Sequence, residues 1–268
     1  MPKLPDDLVI LNDERGMQAL LCRLEPLPAM RAARAILSQR HRLLLCTGFP
    51  VCGCPETDGP AGTIALAHAL QNLKREIIVL SWDDALEAME PSLGEIPCQT
   101  IPRGIHPQQI DGVAITIEVC GRTIDGAYLN MLGNDVINDA PWFEDVIGSH
   151  ALVSIGDGGN EYGMGSAPIE WFENRPIKRP VSTCDILVVG QVSNWAALAV
   201  VAALSVESKK NLLPAPDDYQ KVLDIITARG VVDGVTRRSQ ATEDGFDVGE
   251  GVTVLRKLHQ WVSDVSGI

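Results

Sequence analysis

A glycine-rich stretch, residues 156–165, carries the side chains of this chain that are best suited to chemistry. Five of its ten residues are glycine, and between them stand Asp157, Asn160 and Glu161. Glycine allows a backbone to approach a ligand closely and to adopt positive φ without steric cost. Carboxylate and amide oxygens in such a loop are typical of a site for a divalent cation, a phosphate group or both. The stretch is not a nucleotide fingerprint, because it does not fit G-x-G-x-x-G.

Other polar residues follow or end apolar runs elsewhere in the chain and could complete such a site. They are Glu56, Thr57, Asp58, Glu118, Ser193 and Asn194. Neighbouring carboxylates raise one another's pKa unless a cation neutralises them, and oxygen ligands without His or Cys favour Mg²⁺ or Mn²⁺ over Zn²⁺. We therefore predict a metal site on Asp157, Glu161 and Asp58. The competing interpretation is that Glu56 and Asp58 only cap the following helix, while Asp157 only forms a turn.

The elements that must position these residues alternate along the chain. Five apolar runs are typical of buried strands: residues 41–46, 76–80, 113–119, 151–155 and 185–189. Four stretches are typical of helices: residues 61–73, 195–206, 217–228 and 250–262. Continuous apolar strands that alternate with helices predict an α/β fold, with a mostly parallel sheet and helices on both faces. In such folds ligands bind at the carboxyl ends of the strands, which is where the polar residues gather.

We expect one domain over residues 1–268, in which residues 1–40 form a small helical cap. No internal repeat or long Gly/Ser linker divides the chain. The proline-rich segment of residues 90–109 is interpreted as a surface excursion or a lid. Asn194 is a plausible N-cap for the helix that follows it.

Composition excludes several classes of partner. The chain is 46% hydrophobic and 21% charged, with a formal net charge of -13, which argues against nucleic acid and against an anionic membrane surface. The N-terminus shows no signal-peptide pattern, and the longest apolar run, residues 195–206, is too short to cross a bilayer. Seven scattered cysteines are typical of reduced thiols, so a cytoplasmic protein is expected. Whether it forms a homo-oligomer stays open.

Cysteine and histidine offer weaker candidates. Cys52 and Cys54 could be redox-active or could bind a soft metal, but no further Cys/His cluster supplies the remaining ligands. His106 could act as a general base from the proline-rich segment, although a lone loop histidine is more often only exposed to solvent. His68 lies inside an apolar helical pattern and is expected to be structural.

Several motifs together resemble those of a known family. They lie at residues 47–49, 55–60, 118–122, 125–131, 156–165, 192–195 and 232–236. The most specific are E-T-D-G-P at residues 56–60 and G-D-G-G-N-E at residues 156–161. In these motifs the chain resembles the C-terminal domain family of D-glutamate cyclase, from about residue 40 to the C-terminus. The resemblance implies an α/β fold and the intramolecular dehydration of D-glutamate to 5-oxo-D-proline, a hydro-lyase reaction.

If the chain catalyses this reaction, the chemistry of its polar residues suggests a role for each. A Mg²⁺ or Mn²⁺ ion on Asp157 and Glu161, with Glu56 or Asp58 completing the shell, would polarise the γ-carboxylate. Glu118 or Glu56 would serve as the general base. The N–H groups of Gly158 and Gly159 would hold the developing oxyanion.

The substrate, a small acidic metabolite, would be held by the remaining polar groups. Asn160 and Asn194 would orient it, and Arg122 would pair with its α-carboxylate, because a guanidinium fork matches that group. Ser193 and Thr57 are assigned to substrate binding as well. Two alternatives stay open: a metal-dependent phosphatase acting on a small phosphorylated metabolite, and a metal- or metabolite-binding protein without turnover.

Overall fold

A six-stranded, all-parallel sheet lies at the centre of the computed structural model, which describes residues 4–12, 14–103 and 108–268. Its strands are β1 (Leu43–Gly48), β2 (Ile77–Ser81), β3 (Cys98–Thr100), β4 (Val113–Val119), β5 (His150–Gly156) and β6 (Thr183–Val189). All five strands predicted from apolar runs are confirmed. Their runs are apolar because both faces of a parallel sheet are covered.

The strand order is β3-β2-β1-β4-β5-β6. Strand order therefore reverses direction between β1 and β4. In open α/β sheets this switch point opens a crevice at the carboxyl ends of the strands, where ligands bind. The α/β fold class and the predicted parallel sheet are confirmed.

The edge strand β3 was not predicted. Residues 90–93 complete a helix, and β3 pairs with β2 from Val79↔Cys98 to Ser81↔Thr100. The interpretation of residues 90–109 as one surface excursion is therefore wrong for these parts. All three β3 residues are exposed, so no apolar run indicates the strand. His106 lies outside the described residues.

Ten α-helices occur among the described residues. They are α1 (Pro5–Leu8), α2 (Met17–Leu21), α3 (Pro28–Ser38), α4 (Pro60–Asn72), α5 (Asp83–Leu93), α6 (Phe143–Ile147), α7 (Ile169–Phe172), α8 (Ser193–Ser208), α9 (Pro216–Thr227) and α10 (Val248–Ser266). The four predicted helices correspond to α4, α8, α9 and α10. Among the residues that the structure describes, no helix combines the length and the apolar character needed to cross a membrane.

Both faces of the sheet are covered, but by different elements. On one face α3, α4 and α8 pack against alternate strand residues such as Leu45, Val79 and Ile115. Helix α8 is buried from Ser193 to Ser205, because α3, α4 and α10 surround it. A helix that is apolar all round is suited to that place. On the other face short helices and loops bring Phe143 and Trp171 against the remaining strand residues.

Candidate active site

Glu118 stands on a β-bulge at the switch point of the sheet. Thr47 of β1 pairs with Ile117 of β4, but Gly48 pairs with Val119, so Glu118 has no partner on β1. Its φ is +47°, a left-handed conformation that is uncommon for a non-glycine residue. A bulge of this kind redirects a side chain. The Glu118 carboxylate thereby accepts a hydrogen bond from Ser193 Oγ, at 2.6 Å.

Asp58 and Asn194 hold the starts of α4 and α8 together, each by capping the helix of the other. Asp58 precedes α4, yet its carboxylate accepts from the N–H groups of Ser193 (2.8 Å) and Asn194 (2.6 Å) in α8. The Asn194 side-chain oxygen accepts from the N–H groups of Gly59 (2.9 Å) and Gly62 (2.7 Å) at the start of α4. The prediction that Asn194 is the N-cap of its own helix is therefore wrong, because that position belongs to Val192.

The glycine-rich loop after β5 is closed by Glu161. Its carboxylate accepts from the N–H groups of Asp157 (3.1 Å), Gly158 (2.5 Å) and Gly159 (2.6 Å). These bonds fold the loop around Glu161. They do not use the Asp157 carboxylate, which lies near the ends of the neighbouring strands. Arg15 Nη1 donates to Asp157 Oδ1 at 2.7 Å. Asp157 Oδ2 is buried and accepts from no group in the described part of the chain.

Asp58, Glu118 and Asp157 form a buried carboxylate trio. One oxygen from each lies within 4.8 Å of the others, and the three residues are 1%, 6% and 2% exposed. Burial raises the pKa of Asp58 to about 8, with Asp244 adding to the effect. Burial also raises the pKa of Glu118, and it raises that of Asp157 in spite of Arg15. A cation would relieve this repulsion, and Asp157 Oδ2 has no other partner, so the trio could hold a metal ion.

A second pair of carboxylates, Glu56 and Asp244, lies in the same pocket outside the trio. Burial, Asp244 and Glu118, in that order, raise the pKa of Glu56 well above its usual range. Arg15 Nη1 donates to Asp244 Oδ2 at 2.5 Å as well as to Asp157, and so links the pair to the trio. Gly234 leaves the space for Glu56, because a Cβ at that position would lie 1.7 Å from Glu56 Oε1.

These groups open into a pocket of about 280 Å³, near the lower end of the range for small-molecule sites, ~300–1,000 Å³. Its acidic lining residues are Glu56, Glu118, Asp157, Glu161 and Asp244, and its basic ones are Arg15 and Arg237. Seven non-glycine residues in the described chain have positive φ, and four of them line this pocket: Cys52, Glu118, Arg237 and Asp244. Backbone strain of this kind concentrates at functional sites.

The structure brings together part of the predicted set of site residues. Glu56, Glu118, Asp157, Asn160 and Glu161 line the pocket. Asn160 donates to the Leu129 carbonyl oxygen at 2.9 Å, and its own side-chain oxygen is buried with no donor among the described residues. That oxygen is therefore open to a ligand.

The rest of the predicted set is placed elsewhere. Arg122 does not line the pocket; its Nη1 donates to Asp145 Oδ1 at 3.4 Å. The N–H groups of Gly158 and Gly159 already donate to Glu161, which leaves none for an oxyanion. Asn194 also donates to the Thr57 carbonyl oxygen and to Glu243, so all its hydrogen-bonding capacity is used within the protein.

Thr57 and Ser193 are both buried, and each lies beside the trio rather than in the pocket lining. Ser193 donates to Glu118, as described above, while Thr57 Oγ1 has no partner in the described chain.

Cys52 lines the pocket. With Gly53 it forms the two-residue turn of a short hairpin, and both residues have positive φ. A turn of this type explains the C-G-C sequence. Among the described residues, the group that could hold a metal ion contains no Cys or His.

Arg15, Asp244 and Arg237 are pocket residues that sequence reasoning missed. No predicted strand directly precedes any of them, so the expectation that ligands bind at the carboxyl ends of strands does not identify them. Arg15 stands before Gly16, which has φ +73° at the start of α2, and Asp244 stands before Gly245 in a tight turn. A charged residue next to a turn glycine is the signal that was available, and it is weak.

Most of the chain matches a known protein family. The sequence model of the family described as D-glutamate cyclase-like, C-terminal, matches residues 7–259. The mitochondrial D-glutamate cyclase of Homo sapiens is 30% identical to this chain over 229 residues. Those residues are 71% of this chain but 36% of the human protein, so the match spans about a third of that relative's length.

Proposed function

Because the chain belongs to the D-glutamate cyclase-like C-terminal family, we propose that it dehydrates a small acidic amino acid, D-glutamate, to the lactam 5-oxo-D-proline. The observation that carries the proposal is a carboxylate trio able to hold a cation beside a separate carboxylate pair in one pocket. Amide formation from a carboxylate needs both an electrophilic aid at the γ-carboxylate and a base for the ammonium group.

Three features of the trio support a resident divalent cation. Its donors are all hard oxygens, its carboxylates are buried together, and Asp157 Oδ2 has no other partner among the described residues. Oxygen donors of this kind suit Mg²⁺ or Mn²⁺ rather than Zn²⁺. In this proposal Glu118 serves as a ligand, and Glu161 serves to shape the loop.

The reaction requires two protons to move from the substrate nitrogen to the oxygen that leaves. A cation on the trio would polarise the γ-carboxylate of the substrate. Glu56, outside the trio, takes one proton from the α-ammonium group and so frees the nitrogen lone pair. The nitrogen forms a bond to the carbon of the γ-carboxylate, Cδ, and the bond from that carbon to one oxygen breaks. The proton on Glu56 and a second proton from the nitrogen pass to this oxygen, which leaves as water.

The two alternatives make different demands on the site. A metal-dependent phosphatase would use the N–H groups of the glycine loop to bind phosphoryl oxygens. The N–H groups of Asp157, Gly158 and Gly159 donate to Glu161 instead, which favours a carboxylate substrate. A binding protein without turnover would need no base. Glu56 and Asp244 lie in the pocket outside the trio, where a base is needed, and this favours an enzyme.

The test is product formation from D-glutamate and L-glutamate, read by chiral chromatography of 5-oxoproline. The protein is treated with a chelator and then assayed with and without Mn²⁺, beside a Glu56→Gln variant that measures uncatalysed cyclisation. We expect 5-oxo-D-proline from the wild type with Mn²⁺ and not from the variant. Equal product from both proteins would overturn the proposal. Phosphate release from a panel of phosphorylated metabolites would support the phosphatase instead.

A further inference from the structure

Arg237 presents a guanidinium group without a protein partner at the acidic pocket. Two arginines line this pocket, and the other one, Arg15, is held by Asp157 and Asp244. No hydrogen bond, ion pair or ring contact within the described part of the chain uses the Arg237 side chain. Arg237 is an exposed residue, so water rather than protein satisfies its five donors.

The backbone of Arg237 is fixed in an unfavourable conformation. Its φ is +57°, a left-handed conformation that is unfavourable for a non-glycine residue. Its N–H donates to the Asp233 carbonyl oxygen at 2.8 Å. The buried Asp233 carboxylate accepts in turn from the N–H groups of Val235 (2.9 Å), Thr236 (2.6 Å) and Gly245 (2.7 Å). This turn therefore sets the starting point of the Arg237 side chain before any ligand arrives.

The charge of the pocket requires a cation for any anionic ligand. Five carboxylates line it, and they would repel a carboxylate that is not neutralised. A guanidinium group can bind a carboxylate by two parallel hydrogen bonds, which suits Arg237 to this part. Arg122, the sequence-based candidate, lies outside the lining beside Asp145.

We propose that Arg237 binds the α-carboxylate of the substrate and thereby restricts the pocket to ligands with two carboxylates. One carboxylate lies at the trio and the other pairs with Arg237. The name of the natural substrate rests on the function proposed above, but the preference for dicarboxylates does not. Ligands that lack the second carboxylate bind without the contribution of Arg237.

Binding of two simple probes tests this assignment without turnover. Glutarate carries two carboxylates and no amine, and butyrate carries one carboxylate; both are titrated calorimetrically into the Mn²⁺-loaded protein. We expect glutarate to bind more tightly than butyrate. Arg237→Gln should weaken glutarate binding on the order of 10-fold to 100-fold, the range for charged hydrogen bonds, and should leave butyrate unchanged. Arg237→Lys should retain part of the preference.

Arg238→Gln is the matched control, because Arg238 is the exposed neighbour that does not line the pocket. Glutarate binding that is equal in wild type and Arg237→Gln, or no tighter than butyrate binding in the wild type, would overturn the assignment. For D-glutamate turnover we expect Arg237→Gln to raise KM at least ~10-fold, with kcat within about twofold. If no lactam forms but glutarate binding depends on Arg237, the reaction proposed above fails and this assignment stands.

Discussion

The buried carboxylates around the pocket differ in how many hydrogen bonds they already accept. Glu161 and Asp233 each accept from three backbone N–H groups, and Glu243 accepts from Asn194, Trp195 and Tyr219. These carboxylates stabilise loops and have little capacity left. Asp157 has one oxygen with no donor in the described chain. The side chains open to a ligand are thus those with an oxygen that accepts no hydrogen bond from the described protein.

Gly234→Ala tests whether turnover depends on the position of the Glu56 carboxylate. The added Cβ would overlap Glu56 Oε1, and because that atom ends a flexible side chain, the carboxylate can move while the fold persists. We expect a fall in kcat on the order of 100-fold, since a displacement of ~1 Å in a reacting group has that effect. Thermal melting should change little.

Gly249→Ala is the matched control for this variant. The added Cβ there meets only Asp247 Oδ1, at 3.1 Å, in the first turn of α10 and away from the pocket. Turnover in Gly234→Ala equal to that of this control would show that Glu56 is not the base.

At the level of elements, the site depends on how α4 and α8 begin. Asp58 and Asn194 cap each other's helices, so the two N-termini are held side by side at the switch point. Asp58 thereby combines a structural role with a place in the trio. The competing interpretation, in which Asp58 only caps α4, is too narrow: its carboxylate accepts from Gly59 at the start of α4 and also from Ser193 and Asn194 of α8.

Asn194→Ala separates a structural role from a substrate-binding one. The change removes hydrogen bonds to Gly59, Gly62, Thr57 and Glu243 and leaves buried polar groups without partners. We expect the free energy of unfolding to fall on the order of 3 kcal/mol, measured by urea denaturation. Asn72→Ala, an exposed position at the end of α4, should have little effect. Unchanged stability with weakened substrate binding would restore the role predicted from sequence.

Asp6 gives the packing of α1 on α3 a pH dependence. Its Oδ1 accepts from the Ala29 N–H at 2.9 Å, and its Oδ2 is buried with no partner in the described chain. Burial raises the pKa of Asp6 from 3.8 to about 6. Between these values the folded protein binds the proton more tightly than the unfolded chain, so the free energy of unfolding falls as pH rises through that window.

Asp6→Asn should remove this dependence and raise stability at pH 7 by up to ~3 kcal/mol. Urea denaturation between pH 4 and pH 7 gives the slope, with Asp7→Asn as the neighbouring control. A slope in Asp6→Asn equal to that of the wild type would contradict the assignment to Asp6.

At the scale of the whole molecule, separate parts of the chain meet at one edge of the sheet. The loops that follow β1, β5 and β6 and the bulge in β4 bring Asp58, Asp157, Ser193 and Glu118 close together. The segments that carry Arg15 and Asp244 close the pocket from outside the sheet. The carboxylate trio therefore exists only when the parallel sheet and its flanking helices are formed.

Sequence patterns predicted much of this arrangement, for identifiable reasons. The central strands are buried on both sides, so their apolar runs are distinct, and the rule for strand ends brings Glu118 and Asp157 together. The edge strand β3 is exposed and has no such run. Strand order depends on long-range pairing, which local patterns do not encode. The use of Glu161 within its own loop and the role of Arg15 follow from hydrogen bonds that spacing does not indicate.

Calorimetric titration of Mn²⁺ into chelator-treated protein tests the central claim, that Asp58, Glu118 and Asp157 form a cation site. The account predicts one ion per chain in the wild type and affinity at least ~10-fold weaker in Asp157→Asn, because one charged ligand is lost. Asp224→Asn, an exposed change on α9, should bind as the wild type does. Mn²⁺ affinity in Asp157→Asn equal to that of the wild type would contradict the account.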